Sequence, residues 1–145
     1  MKRSSLSAAL VLSLVAAAAP TFAGVSDPIS VVQMAYVDGI HRNSDAAAMK
    51  AGFHEDFVMF VNADEGVKMV TRDDWAARIE KAGSDPNRKT YDISAVVENV
   101  GQSGNAAVVK VELSRDGKHV FTDFLSLYKT PEGWTNNAKI YQRHP

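Results

Sequence analysis

The amino-acid sequence predicts an α+β domain in which three helices pack on one face of a cone-like, curved antiparallel sheet. Two observations carry this prediction. Helical patterns and their capping signals precede the segment GSDPNRK, and long strand-like runs with short polar turns follow it. Because strand twist accumulates, so long a sheet curls around the helices and leaves one open end, where a pocket would lie.

The first 23 residues have the three parts of a secretory signal peptide. Lys2 and Arg3 form a basic start, an apolar run extends over Leu6–Ala19, and Thr21–Ala23 is a small-x-small cleavage site. The run is shorter than the ~20 apolar residues that a membrane span needs. We expect cleavage after Ala23, which leaves residues 24–145 as a single domain with no membrane anchor.

The composition of the chain limits which cellular compartment and which class of binding partner we expect. The chain has no cysteine, which excludes disulfides, thiolate metal sites and a lipidated cysteine. Export without disulfides is typical of a bacterial periplasm, so a periplasmic or secreted location is predicted. The net charge is −1 and the basic residues are scattered, which favours neither a nucleic acid nor an anionic membrane surface. A small molecule or another protein remains as partner.

Two helices open the predicted domain. Ser26-Asp27-Pro28 combines a capping side chain with proline at the first helical position. The next apolar residues recur at helical spacing and predict an amphipathic helix to about Arg42; they are Ile29, Val32, Tyr36 and Ile40. Asn43–Asp45 then caps a short second helix, AAAMKAG, which ends at Gly52.

A hairpin, a third helix and a meander complete the domain. The hairpin pairs Phe57–Val61 with Val67–Val70 across a polar turn, and Thr71 begins a T-x-x-D capping box for a helix that presents Trp75, Ile79 and Ala82 on one side. The turns NVGQSGN, RDGK and TPEG separate the last four strands, which favours antiparallel pairing of neighbours. These strands are Tyr91–Val100, Ala106–Ser114, His119–Lys129 and Trp134–Gln142.

Four stretches of the chain resemble a known family. They are YVDGIHRNSDAAAM, FHEDF, TRDDWAARIEK and, above all, FTDFLSLYKTPEGWTNNAKIY, in which an aspartate interrupts an apolar strand and Gly-Trp precedes the last strand. These stretches resemble the nuclear transport factor 2-like (cystatin/NTF2-like) cone fold. Within that fold they are most similar to the bacterial group called putative lumazine-binding proteins, near the SnoaL-like polyketide cyclases. The similarity covers about Asp27 to Tyr141.

Two features of the chain depart from that family. The turn His54–Asp56 lacks the proline that the family often has there, and Asn136 and Asn137 stand where basic and aliphatic residues commonly alternate. The resemblance implies a cone with an interior ligand cavity, which occurs both in isomerases, cyclases and dehydratases and in non-catalytic binding proteins. It also implies a homodimer packed through the outer face of the sheet. Since one fold hosts many functions, the ligand does not follow from it.

Asp123 is the foremost candidate site residue. Strand alternation places it on an otherwise apolar face with Phe121, Leu125 and Leu127. A carboxyl group in a cavity there has a raised pKa and could act as a general acid or base. Two other roles stay open: it orients a ligand, or it accepts hydrogen bonds that order the cone. Tyr36, on the buried stripe of the first helix, could bind a ligand carbonyl or form a hydrogen bond within the core.

Several further residues are candidates for contact with a ligand. The large apolar ones expected near the cone interior are Phe57, Met59, Met69, Trp75 and Trp134, and core packing explains them equally well. Among them Trp75 is the best pocket candidate, because it lies on the helix that closes the cone. Asn136 shares a predicted strand face with Trp134, Ala138 and Ile140, and its amide could reach Asp123 on the neighbouring strand.

Metal and nucleophile chemistry are disfavoured by spacing. His41, His54, His119 and His144 are isolated, and His54, in a turn, is the only one with a position of interest. The chain has no P-loop, G-x-G-x-x-G or G-x-S-x-G motif, so no metal and no cofactor is predicted.

Three functions therefore remain. The first is an exported protein that binds a small organic molecule in the cone, with Tyr36, Asp123 and Asn136 as polar contacts. The second is an isomerase, cyclase or dehydratase in which Asp123 moves a proton and Tyr36 stabilises an oxyanion. The third is a non-catalytic, dimeric interaction module. A cavity that reaches Asp123 would favour the first two.

Overall fold

The chain opens with two helices in the computed structural model, which describes Ala18 and residues 21–145. Helix α1, Pro28–Val32, continues without a break into a π-helical segment, Gln33–Arg42. Asp27 caps α1, since its carboxylate accepts the N–H of Ser30 at 2.9 Å. The predicted start and end of this helix are confirmed. The spacing of the apolar residues does not distinguish the wider π-helical turns from an α-helix.

Most of the predicted signal peptide, residues 1–23, lies outside the described residues. Of its described part, Phe22 packs against the hydrophobic core. Within the range that the structure describes, no helix is both long and apolar enough to cross a membrane.

Two more helices begin at the predicted caps. Helix α2, Ala46–Gly52, follows Asp45, whose carboxylate accepts the N–H groups of Ala47 and Ala48. Helix α3, Arg72–Ser84, follows Thr71, whose hydroxyl accepts the N–H of Asp74. Local capping chemistry therefore sets the start of α1, α2 and α3.

Six strands form one sheet in the order β2-β1-β6-β5-β4-β3. They are β1 (Phe53–Ala63), β2 (Gly66–Thr71), β3 (Ile93–Ser103), β4 (Ala106–Arg115), β5 (Lys118–Thr130) and β6 (Gly133–Arg143). Antiparallel pairing joins all neighbours except β1 and β6, which are parallel. The hairpin thus adds to the meander beside its last strand, and the curved sheet is mixed rather than wholly antiparallel.

A bulge in β6 changes which side chains face the core. Ser126 pairs with Ala138 and Leu127 with Asn136, so Asn137 is an extra residue outside the strand register, and its Oδ1 atom accepts the N–H of Tyr128 at 3.2 Å. The alternation shifts by one after it: Lys139 is buried and Ile140 is 55% exposed. The prediction that Ala138 and Ile140 share the inner face with Asn136 is therefore wrong, because one inserted residue moves every later side chain to the other face.

The core lies between the helices and the inner face of the sheet. The first helix contributes Val32, Tyr36 and Ile40 to it, as the predicted stripe requires. Ile29, the first member of that stripe, is 37% exposed at the beginning of α1. From the sheet, β4 contributes Val109, Val111 and Leu113, and β5 contributes Leu125 and Leu127.

Candidate functional site

A buried ion pair lies at the centre of the inner face. Asp123 on β5 has no exposed surface, and Lys139 on β6 is 4% exposed. The Nζ atom of Lys139 forms a salt bridge with Oδ1 of Asp123 and donates to the Tyr36 hydroxyl oxygen at 3.3 Å. Asp123 and Tyr36 therefore come together, but they meet at an ammonium group rather than at a cavity.

Aromatic rings surround this ammonium group. The Nζ atom of Lys139 lies 4.2 Å from the ring centroid of Tyr141, 5.2 Å from that of Tyr36 and 5.5 Å from that of Trp75. The rings attract the cation and exclude water from it. Asp123 and Lys139 are thus buried among side chains of the core.

Sequence reasoning missed Lys139, since the alternation from Trp134 assigns it to the outer face. One signal could have found it: a buried carboxylate needs a cation, and Lys139 is the one basic residue of the predicted strand Trp134–Gln142. The prediction that Asn136 reaches Asp123 is wrong, because Asp123 pairs with Tyr141 across the two strands. The Asn136 amide instead donates to the Gly52 carbonyl oxygen at 2.8 Å and ties β6 to the end of α2.

The electrostatics of the ion pair favour a structural role. Burial lowers the pKa of Lys139, although the charge of Asp123 acts in the opposite direction. Burial raises the pKa of Tyr36 well above its ordinary value of 10.0, and the charge of Asp123 adds to this. Tyr36 therefore remains a neutral hydroxyl. The catalytic roles predicted for Asp123 and Tyr36 stay predictions.

The remaining predicted ligand contacts fall in three places. Phe57 is buried in an aromatic cluster with Phe53, at 4.8 Å between ring centroids, and with Trp75, at 5.8 Å. Met59 and Trp75 line a pocket. Met69 is 70% exposed on β2, which contradicts the interior position expected for it, because the inward position of this short strand is Val70.

That pocket, here called the α3 pocket, has a volume of about 360 Å³. It lies between α3, the end of the π-helical segment, the chain leading into β3 and the end of β4. Its walls comprise Ile40, His41, Ser44, Met59, Trp75, Arg78, Ile79, Ala82, Lys89, Tyr91 and Arg115. Asp123, Lys139 and Tyr36 do not line it, so the cavity does not reach the ion pair.

Two nitrogen atoms in the walls of the α3 pocket lack partners. Nε2 of His41 and Nε of Arg115 are both buried and form no hydrogen bond within the described residues. Burial, reinforced by the positive charges of Lys139 and Arg115, lowers the pKa of His41 to about 3. His41 is therefore neutral near pH 7, and its Nε2 atom has no hydrogen-bond partner among the described residues.

A second pocket, of about 430 Å³, contains Trp134 in its wall. Thr21, Phe22 and Ala23 also line it, and all three belong to the predicted signal peptide. Cleavage after Ala23 would remove these walls. The α3 pocket has no wall from this segment.

The histidines lie apart from the α3 pocket, except for His41. His54 accepts the N–H of Asp56 through Nδ1 at 3.1 Å, which is a turn contact. Across Ala18 and residues 21–145, no cluster of three or more His, Cys, Asp or Glu side chains suits a metal ion.

Comparison with solved structures supports the fold. An NTF2-like protein of unknown function from Shewanella baltica OS155 is 24% identical, with a TM-score of 0.64, over 81% of this chain and 91% of that one. A second, from Silicibacter pomeroyi DSS-3, is 24% identical over 79% and 91%, with a TM-score of 0.62. A putative aromatic ring hydroxylase from Novosphingobium aromaticivorans is 20% identical over 81% and 87%, with a TM-score of 0.59. At these identities the likeness shows the fold alone.

No curated protein matches the chain significantly. The family described as "Putative lumazine-binding" matches residues 24–142, nearly the whole of the predicted domain. The fold is that of NTF2-like proteins, this match agrees with the resemblance found in the sequence, and the chain belongs to the putative lumazine-binding family.

Proposed function

We propose that this is an exported protein that binds a small organic molecule in the α3 pocket. The pocket carries the proposal: its wall residues provide a half-buried indole, a methionine and two buried nitrogen atoms, His41 Nε2 and Arg115 Nε, that have no partner among the described residues. Buried polar groups normally have a hydrogen-bond partner, and a ligand would supply one. Its volume falls within the range of small-molecule sites, about 300–1,000 Å³.

Binding is favoured over acid–base catalysis at Asp123. The carboxylate forms a salt bridge with Lys139 through Oδ1 and has no exposed surface, and the α3 pocket does not reach it. A general base must lie within hydrogen-bond reach of the proton that it abstracts. The ion pair instead fixes the inner face of the sheet against the first helix, and the ligand site lies beyond Trp75.

Native mass spectrometry of the mature protein, purified from its own host, tests this proposal. We expect a chain that begins at Gly24 and retains a small molecule. Ala82→Trp fills the α3 pocket and should abolish retention, whereas Ala77→Trp, on an exposed part of the same helix outside the pocket, should not. Retention by Ala82→Trp would place the ligand elsewhere. A wild-type protein that retains nothing, even after incubation with host extract, would contradict the proposal.

We further propose that two copies of the chain pair through the outer face of the sheet. An apolar stripe crosses four strands there and consists of Met69, Phe60, Ile140 and Phe124. Phe60, Phe124 and Ile140 also line a shallow groove of about 350 Å³. A stripe of this kind is self-complementary, as a two-fold interface requires.

Ile140→Glu is expected to shift the protein from dimer to monomer, because it places a charge at the centre of the stripe. Sedimentation velocity measures the shift. Val100→Glu makes the same change on β3, at the opposite edge of the sheet, and should leave the dimer intact. A wild-type monomer at all concentrations, or equal effects of the two variants, would refute the proposed interface.

A further inference from the structure

The α3 pocket carries an excess of positive charge. Its walls include Arg78, Lys89 and Arg115 and no aspartate or glutamate. The chain as a whole has a net charge of −1, so this excess is local and does not reflect a generally basic protein. Cations gathered on the wall of a cleft raise the local concentration of anions.

These three cations are not paired within the protein. Neither Arg78, Lys89 nor Arg115 has a carboxylate within salt-bridge distance among the described residues. Cations elsewhere in the chain contrast with them; Lys110, for example, contacts the carboxylates of Glu98 at 2.8 Å and Glu112 at 3.3 Å. The charge in the pocket is therefore available to a ligand.

Arg115 is the best placed of the three. Its guanidinium carbon lies 5.0 Å from the ring centroid of Tyr91 and 5.4 Å from that of Phe121, so the two rings hold the group in position. Its Nε is buried and has no hydrogen-bond partner in the described part of the chain. A planar guanidinium that is fixed by rings and keeps its donors free matches the two oxygen atoms of a carboxylate or the oxygens of a phosphate.

The other walls define the rest of the ligand. Trp75 and Tyr91 offer flat aromatic surfaces, while Met59 and Ile79 offer aliphatic ones. These surfaces suit a flat, apolar body attached to the anionic group. His41, neutral near pH 7, adds one uncharged hydrogen-bonding nitrogen and no competing negative charge.

We infer that the α3 pocket selects an organic oxyanion with a flat apolar body, and that Arg115 binds the anionic group. This inference rests on the proposed binding function and deepens it. It assigns Arg115 as the residue that determines specificity for charge, with Arg78 and Lys89 adding to the attraction from the rim.

Calorimetric titration with 1-naphthoate and its neutral analogue 1-naphthamide tests the inference, with inorganic phosphate as competitor. We expect naphthoate to bind more tightly than the amide. We also expect its affinity to decrease as the salt concentration increases. Arg115→Gln should weaken naphthoate binding by about tenfold or more and leave the amide unchanged. Lys129→Gln removes one exposed positive charge outside the pocket and serves as the matched control. If phosphate competes with naphthoate, the pocket accepts a phosphoryl group as the oxyanion. If phosphate does not compete, the carboxylate is the oxyanion that the pocket selects.

The outcomes separate this inference from the proposed function. Equal binding of acid and amide, unaffected by Arg115→Gln, would overturn the choice of an anion and leave the binding function intact. Equal losses in Arg115→Gln and Lys129→Gln would show a general charge effect and overturn the role of Arg115. If neither probe binds but the protein retains a small molecule in native mass spectrometry, the choice of a flat oxyanion is overturned and the binding function stands. Circular dichroism melting of Arg115→Gln checks that the variant is folded.

Discussion

Lys139→Met is expected to lower the free energy of unfolding by about 3–5 kcal/mol, because it leaves the carboxylate of Asp123 buried and unpaired. Asp123 has no exposed surface, and within the described part of the chain Lys139 is its one salt-bridge partner. Neighbouring rings cannot replace the lost cation, since their faces repel an anion. Urea-induced unfolding, followed by circular dichroism, measures this loss of stability. The slope of the unfolding free energy against urea concentration should not change.

A double variant provides the control for this prediction. Asp123→Leu combined with Lys139→Met removes both charges and keeps apolar volume, so its stability should return to within about 1–2 kcal/mol of the wild type. Additive losses from the two substitutions would show that the charges do not act as a pair. A stable Lys139→Met variant would mean that Asp123 reaches water or another cation, contrary to its position on the inner face.

Acidification is expected to destabilise the fold through His41. The pKa of this residue is about 3 in the folded chain and near 6.5 in the unfolded chain, so between these values the unfolded chain binds the additional proton. The contribution of neutral His41 is fully present above pH 6.5 and is lost as the pH falls toward 3. At pH 5 the loss amounts to about 2 kcal/mol.

His41→Phe isolates this effect. Phenylalanine can keep the edge-to-face contact with Tyr36, whose ring centroid lies 4.7 Å from that of His41, but it binds no proton. The difference in unfolding free energy between wild type and variant should therefore change with pH between 6.5 and 4. His119→Phe, at an exposed histidine, controls for the general loss of an imidazole. Parallel stability curves for wild type and His41→Phe would show that His41 is protonated as easily in the folded chain as in the unfolded one.

Local signals in the sequence were sufficient for much of the fold. Asp27 with Pro28, Asp45 and Thr71 start the helices where their capping chemistry predicts, and the Gly-containing turns separate the last strands. Strand alternation also places Asp123 on the buried face correctly. Each of these features depends on a few adjacent residues, which is why one sequence reveals them.

Features that depend on distant residues did not follow from the sequence. The parallel pairing of β1 with β6 joins segments about 80 residues apart, and no local pattern specifies it. The bulge at Asn137 reverses the faces of Lys139 and Ile140, so alternation gave the wrong partner for Asp123 and the wrong face for Ile140. The α3 pocket likewise combines Arg115 with Trp75 and His41, which only the folded chain brings together.

The central claim, that a small molecule binds in the α3 pocket, is tested most directly by the two tryptophan indole N–H signals in an NMR titration with 1-naphthoate. Trp75 lines the pocket, whereas Trp134 lies elsewhere and donates its indole N–H to the Ser26 carbonyl oxygen at 3.2 Å. A Trp75→Phe variant assigns the signals. We predict that the Trp75 signal shifts in a saturable manner and that the Trp134 signal does not move. A shift of Trp134 alone, or no shift of either signal with the probe and with host extract, would contradict the claim.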